Sequence, residues 1–174
     1  MQKRLVSIVL VLGMIAVGAA AAGLNRNWSQ HATGAFEVPA RASDAQGQAI
    51  FHLSKDGTQL EYKLIASNIE NVIMAHIHMA PAGSNGMIVV WLYPSTAVGP
   101  PALPGAGRTD GVLAEGTITA ANLTGPLTGG PLSALVDAMN SGNAYVNIHT
   151  DDGVAPGNTG AGDFPGGEVR GNLP

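Results

Sequence analysis

Gly47-Gln48-Ala49-Ile50-Phe51-His52-Leu53-Ser54 runs through Lys55-Asp56-Gly57 into Thr58-Gln59-Leu60-Glu61-Tyr62-Lys63-Leu64-Ile65-Ala66-Ser67. Ala49, Phe51 and Leu53 alternate with other residues before the break, and Leu60, Tyr62, Leu64 and Ala66 alternate after it. A period of two is the strand period. Asp-Gly tolerates positive φ and suits a tight connection. The stretch therefore predicts an antiparallel hairpin with one apolar face.

Outward from this hairpin, five more segments have strand character: Val72 to Ala80, Met87 to Tyr93, Gly111 to Thr119, Ala144 to Thr150 and Glu168 to Leu173. Met87 to Tyr93 is almost continuously apolar, which predicts burial on both faces. Pro81 to Gly86 is a turn, with Asn85-Gly86 its sharpest signal, and Pro94 to Thr109 is a loop. Pro131 to Ser141 predicts the single helix, with Leu132, Leu135, Val136 and Met139 at helical spacing and Gly142 as its stop. A 17-residue Gly/Asp/Pro loop runs from Asp151 to Gly167. Seven short strands with turn signals roughly every 8–12 residues predict an all-β antiparallel sandwich or barrel, with one short crossover helix.

Residues 1–22 are expected to be a signal peptide. Lys3 and Arg4 precede the apolar run Leu5–Val17, and Ala20-Ala21-Ala22 fits the small-residue cleavage rule. Cleavage near Ala22 would remove two of the 8 basic residues and none of the 12 acidic ones, leaving six against 12. That acidic balance argues against nucleic acid and anionic membrane surfaces as partners. No second apolar run is long enough to span a membrane. The chain has no cysteine, which excludes thiolate metal sites, iron–sulfur clusters and cysteine nucleophiles. The expected location is the periplasm, the cell surface or the medium.

Three of the five histidines lie in Ala75-His76-Ile77-His78 and Tyr145-Val146-Asn147-Ile148-His149-Thr150. Side chains two apart on a strand share a face, so His76 and His78 lie together with Met74, and Asn147 lies with His149. Glu168 and Arg170 share a face in the same way. If the last two strands lie beside the histidine strand, His76, His78, Asn147, His149, Glu168 and Arg170 converge. Buried imidazoles need hydrogen-bond partners or a metal. One reading is a polar network that fixes strand register, with Arg170 paired to Glu168 or another carboxylate. The other is a copper or zinc site of His76, His78 and His149. Two rings on one strand start about 6–7 Å apart at the backbone, which makes that geometry demanding.

Asp151, Asp152 and Asp163, with Asn158, offer oxygen ligands for calcium but lack the EF-hand spacing, so a solvated acidic loop is expected. Trp91 and Tyr93 share a face with Val89 and are expected in the core. His31 and His52 stand alone, and His52, opposite Phe51, is expected in solvent. Ser84, Ser133 and Ser141 have no nucleophile-elbow context, and the glycine-rich segments lack the strand–loop–helix setting of a phosphate site.

The chain resembles the CHRD domain, the module named for its repeats in chordin. The resemblance covers roughly Trp28 to Leu173. It rests on Phe36-Glu37-Val38-Pro39, Gly47-Gln48-Ala49, Leu60-Glu61-Tyr62, the His76/His78 segment with Gly83, Asn85-Gly86 and Val89, the Tyr145–Thr150 segment, and Gly167-Glu168-Val169-Arg170-Gly171. The segment from His149 to Gly167 is longer than the family's usual step between its motifs. The resemblance implies an immunoglobulin-like β-sandwich of Greek-key type. It says little about activity: in chordin the module belongs to an extracellular antagonist of growth factors, a role not transferable to a stand-alone exported chain. The expectation is a non-enzymatic exported module that binds an unknown protein or envelope component. The alternative is a histidine-based copper- or zinc-binding domain with possible redox chemistry.

Overall fold

The computed structural model describes residues 25–96 and 101–174. The expected signal peptide lies outside the described residues. Among the described residues there are eight strands: β1 (Asn27–Thr33), β2 (Gln46–Leu53), β3 (Leu60–Glu70), β4 (Val72–Met79), β5 (Met87–Tyr93), β6 (Arg108–Ile118), β7 (Ala144–Thr150) and β8 (Val169–Leu173). They form one antiparallel sheet in the order β5-β4-β7-β8-β1-β2-β3-β6. The edge strands β5 and β6 approach each other without a ladder, so the sheet curls nearly into a barrel. At the seam the Tyr62 hydroxyl donates to the Leu92 carbonyl at 2.7 Å. The all-β antiparallel expectation with one helix holds at this level, in a single continuously bonded sheet.

The hairpin that opened the sequence reading has the expected register. Ala49 faces Leu64, Phe51 faces Tyr62 and Leu53 faces Leu60, and all six are buried. Its turn is held by Asp56, whose carboxylate accepts from the Ser54 and Thr58 side chains and the Thr58 N–H. Those bonds, the Ser54 one foremost, draw the Asp56 carboxyl down to about 2. The helix α1 (Leu132–Asn140) buries Leu132, Leu135, Val136 and Met139 and closes one end of the core. Trp28 of β1 donates to Asn140 at its C-terminus.

Three expectations change. Asn27–Thr33 is an eighth strand: it buries only Trp28 and Ala32, so it shows no alternating apolar pattern. β5 is an edge strand rather than one buried on both faces, and Met87 is 65% exposed. Val89, Trp91 and Tyr93 do not share a face. Ala75 pairs with Tyr93, His76 with Trp91, Ile77 with Val90 and His78 with Ile88. Leu92 and Val89 are thus extra residues, and each bulge reverses the alternation. Tyr93 packs against the core, while Trp91 turns to the histidines.

Two sheet faces result on β4, β7 and β8. Ala75, Ile77, Val146, Ile148, Val169 and Leu173 enter the apolar core. The alternate positions, His76, His78, Tyr145, Asn147, His149, Arg170 and Asn172, lie on the opposite face, and all but Asn172 are buried there. Three loop segments roof that face, through Glu37, Pro81 to Gly86, and Phe164 to Pro165. No helix among the described residues is long and apolar enough to cross a membrane.

Candidate metal centre

The register sets the site. His76 pairs with Asn147, His78 with Tyr145 and Met74 with His149 across β4–β7, and Asn147 pairs with Arg170 across β7–β8. The structure thereby brings together His76, His78, Asn147 and His149. Ring centroids are 5.5 Å apart for His76–His78, 5.0 Å for His76–His149 and 6.1 Å for His78–His149. Each ring offers a nitrogen within 4.8 Å of the others, despite the spacing of the two β4 backbones.

Two rings have their orientation fixed by backbone oxygen. His78 Nδ1 is 3.0 Å from the Gly86 carbonyl, and His149 Nδ1 is 2.9 Å from that of Pro165. Only an N–H satisfies a carbonyl, so both rings carry the proton on Nδ1 and present a lone pair at Nε2. Gly86 must be glycine for this approach, since a Cβ there would fall 1.9 Å from the Met79 carbonyl oxygen. Nε2 of His149 lies 3.2 Å from His76 Nδ1 and 3.0 Å from Asn147 Oδ1. A neutral ring has one N–H, so this nitrogen faces an oxygen acceptor with its own lone pair. Nε2 of His76 and of His78 is buried with no hydrogen-bond partner.

Burial keeps the rings neutral. It lowers His76 to about 2, helped by the charges of His149 and His78, and lowers His149 to about 4. His78 is also pushed down by burial. The remaining walls are aromatic. Trp91 meets His76 edge to face at 4.3 Å, and Tyr145 stacks on His78 at 4.8 Å.

The other two expected members behave differently. Arg170 lies beside the histidines, on Tyr145, with its guanidinium carbon 3.4 Å from the ring centroid. It does not pair with Glu168. It donates to Asn172, Asn85 and the Pro81 carbonyl. Glu168 precedes β8 and follows Gly167, whose φ is 120°, and its side chain turns away from the rings. It accepts from Ser43, Thr150 and the Gly162 N–H. The acidic group near the rings is Glu37, beside the Asn147 amide. Burial raises Glu37 to about 7 against the pull of Arg170 and Arg41. Sequence reasoning missed Glu37 as a site residue because it follows a single 3-10 turn, Gly34–Phe36, and carries no periodic signal. His31 and His52 are both exposed.

No curated protein and no solved structure matches the chain. The CHRD domain family matches residues 28–173, an interval that holds all of the strands but the first residue of β1, the helix and the whole histidine face. With the match spanning these elements, the chain belongs to the CHRD domain family.

Proposed function

We propose that this chain is an exported, non-enzymatic CHRD module of the cell envelope or extracellular space, and that its polar face holds one copper or zinc ion between His76, His78 and His149. The observation that carries the reading is the pair of carbonyl-fixed rings. Gly86 and Pro165 hold Nδ1–H of His78 and His149, which is how proteins orient metal-bound imidazoles. Nε2 of His76 and of His78 is buried without a partner, and a neutral imidazole nitrogen in that state is what a borderline-soft cation requires. Tetrahedral nitrogen ligands about 2.0 Å from zinc stand about 3.3 Å apart, within reach of rings already this close.

Burial supports binding over turnover. His76, His78 and His149 are 0%, 8% and 5% exposed. A surface cavity of about 660 Å³, bordered by Arg41, Ser43, Glu70 and Glu168, includes none of them. Export is supported by Lys3, Arg4 and the apolar run that follows. The strand order β8-β1-β2-β3 places a strand from the end of the chain beside the first of a meander. That Greek-key feature supports the immunoglobulin-like sandwich the family implies, as a flattened form of the curled sheet. The β8 side of the face supports a second role, holding strand register through Arg170.

The test is elemental analysis of protein purified from its native host, with melting curves before and after chelation. Near-stoichiometric copper or zinc, a chelator-induced fall in Tm, and loss of both in His76→Ala are expected. Metal-free protein that neither binds added copper or zinc nor responds to chelator would refute the reading.

A further inference from the structure

The β7–β8 loop carries a second cluster. Asp151, Asp152 and Asp163 each bring a carboxylate oxygen within 4.8 Å of the others. Asp151 and Asp152 are half-buried, while Asp163 is 2% exposed. One Asp163 oxygen, Oδ2, accepts from the Thr159 N–H and hydroxyl, both at 2.8 Å. The other, Oδ1, is buried with no hydrogen-bond partner. An ionised oxygen taken out of water without a partner is costly, and two neighbouring carboxylates add repulsion. Among the described residues the ion pairs are Lys63–Glu115 and Arg108–Asp110, so neither neutralises this cluster.

We propose that Asp151, Asp152 and Asp163 bind a hard divalent cation of the calcium class, which ties the two ends of the β7–β8 loop together. Calcium accepts six to eight oxygens in irregular geometry. The carboxylates supply the charge, and loop carbonyls and water complete the shell. The same loop sends the Pro165 carbonyl to His149 and the Gly162 N–H to Glu168. A cation at Asp151 and Asp163 would therefore brace the roof of the histidine face. The site stands whether or not copper or zinc occupies the histidines.

The experiment is calorimetric titration of chelator-stripped protein with calcium chloride, and separately with magnesium chloride, alongside melting curves. We expect one calcium per chain, with Kd of about 10⁻⁴–10⁻³ M as in extracellular modules, much weaker magnesium binding, and a calcium-dependent rise in Tm. Asp163→Asn should weaken calcium binding at least tenfold. The paired change Asp151→Asn with Asp152→Asn keeps at these half-exposed positions an amide oxygen that can accept from the Gly153 and Val154 N–H groups, and should do the same while removing the Tm rise. His76→Ala, which loses the transition metal, should bind calcium normally. No binding up to about 10 mM, an order beyond the weakest of these modules, overturns the proposal. So does undiminished binding in the paired variant, or calcium binding that disappears in His76→Ala.

Discussion

The two halves of the polar face are built from similar residues and finished differently. On the β8 side, Arg170 spreads its donors over Asn172, Asn85 and Pro81 and rests on Tyr145. The buried atom left without a partner on this side is Oε1 of Glu37, a roof residue whose carboxyl burial raises to about 7. On the β4 side, Nε2 of His76 and of His78 is buried and unpartnered, and Nε2 of His149 meets an acceptor. A satisfied buried network is explained by the stability and register it provides. An unsatisfied one, a strand away in the same sheet, costs stability unless something fills it. The difference separates structure from site.

The largest effect should come from opening the closed half. Arg170→Met removes the charged donor to Asn172, Asn85 and the Pro81 carbonyl and the guanidinium over Tyr145, and should cost about 3 kcal/mol in urea unfolding, since hydrogen bonds from a charged group are worth about 1.5–3 kcal/mol each. A loss below about 1 kcal/mol would erase the distinction between the halves. Next is Glu37, raised by burial to about 7 from 4.5. A carboxyl raised on folding destabilises above its folded value, and that penalty disappears as pH falls to 4.5. Glu37→Gln should therefore raise stability at pH 8 by up to about 3 kcal/mol, at about 1.4 kcal/mol per pH unit, and change little at pH 4. Equal effects at both pH values would contradict this assignment.

Filling the open half should stabilise it. Copper or zinc at 100 times its Kd adds about 2.7 kcal/mol, and His78→Ala should abolish that gain. Acid should empty it. The folded values of His76, His78 and His149 lie below the unfolded 6.5. Their stabilisation is whole above 6.5 and is lost as pH falls toward about 4 for His149 and lower for His76. Each ring contributes up to about 1.4 kcal/mol per pH unit. Melting curves from pH 7 to 4 should fall in the metal-free protein, and a flat profile would mean the rings are not buried neutral. The smallest effect belongs outside both halves: exposed His52→Ala should change stability by less than about 0.5 kcal/mol.

Much of this was legible where a strong period governed the backbone. The 47–67 hairpin, α1 and β7 follow their sequence patterns because alternation or helical spacing coincides with burial. The convergence of His76, His78, Asn147 and His149 followed from side chains two apart on adjacent strands. Legibility failed where the period broke. Two β5 bulges carried Trp91 to the histidine side, and no residue pattern marks a bulge. The turn at Gly167 sent Glu168 away from Arg170. Glu37 and Pro165 reach the site from irregular loops whose course depends on tertiary packing.

The most direct test of the open half is X-ray absorption at the copper or zinc edge of the isolated protein. Imidazole scattering from three nitrogens near 2.0–2.1 Å is expected, reduced in His149→Ala. A first shell of oxygens alone, or a spectrum unchanged by that substitution, would contradict the proposed site.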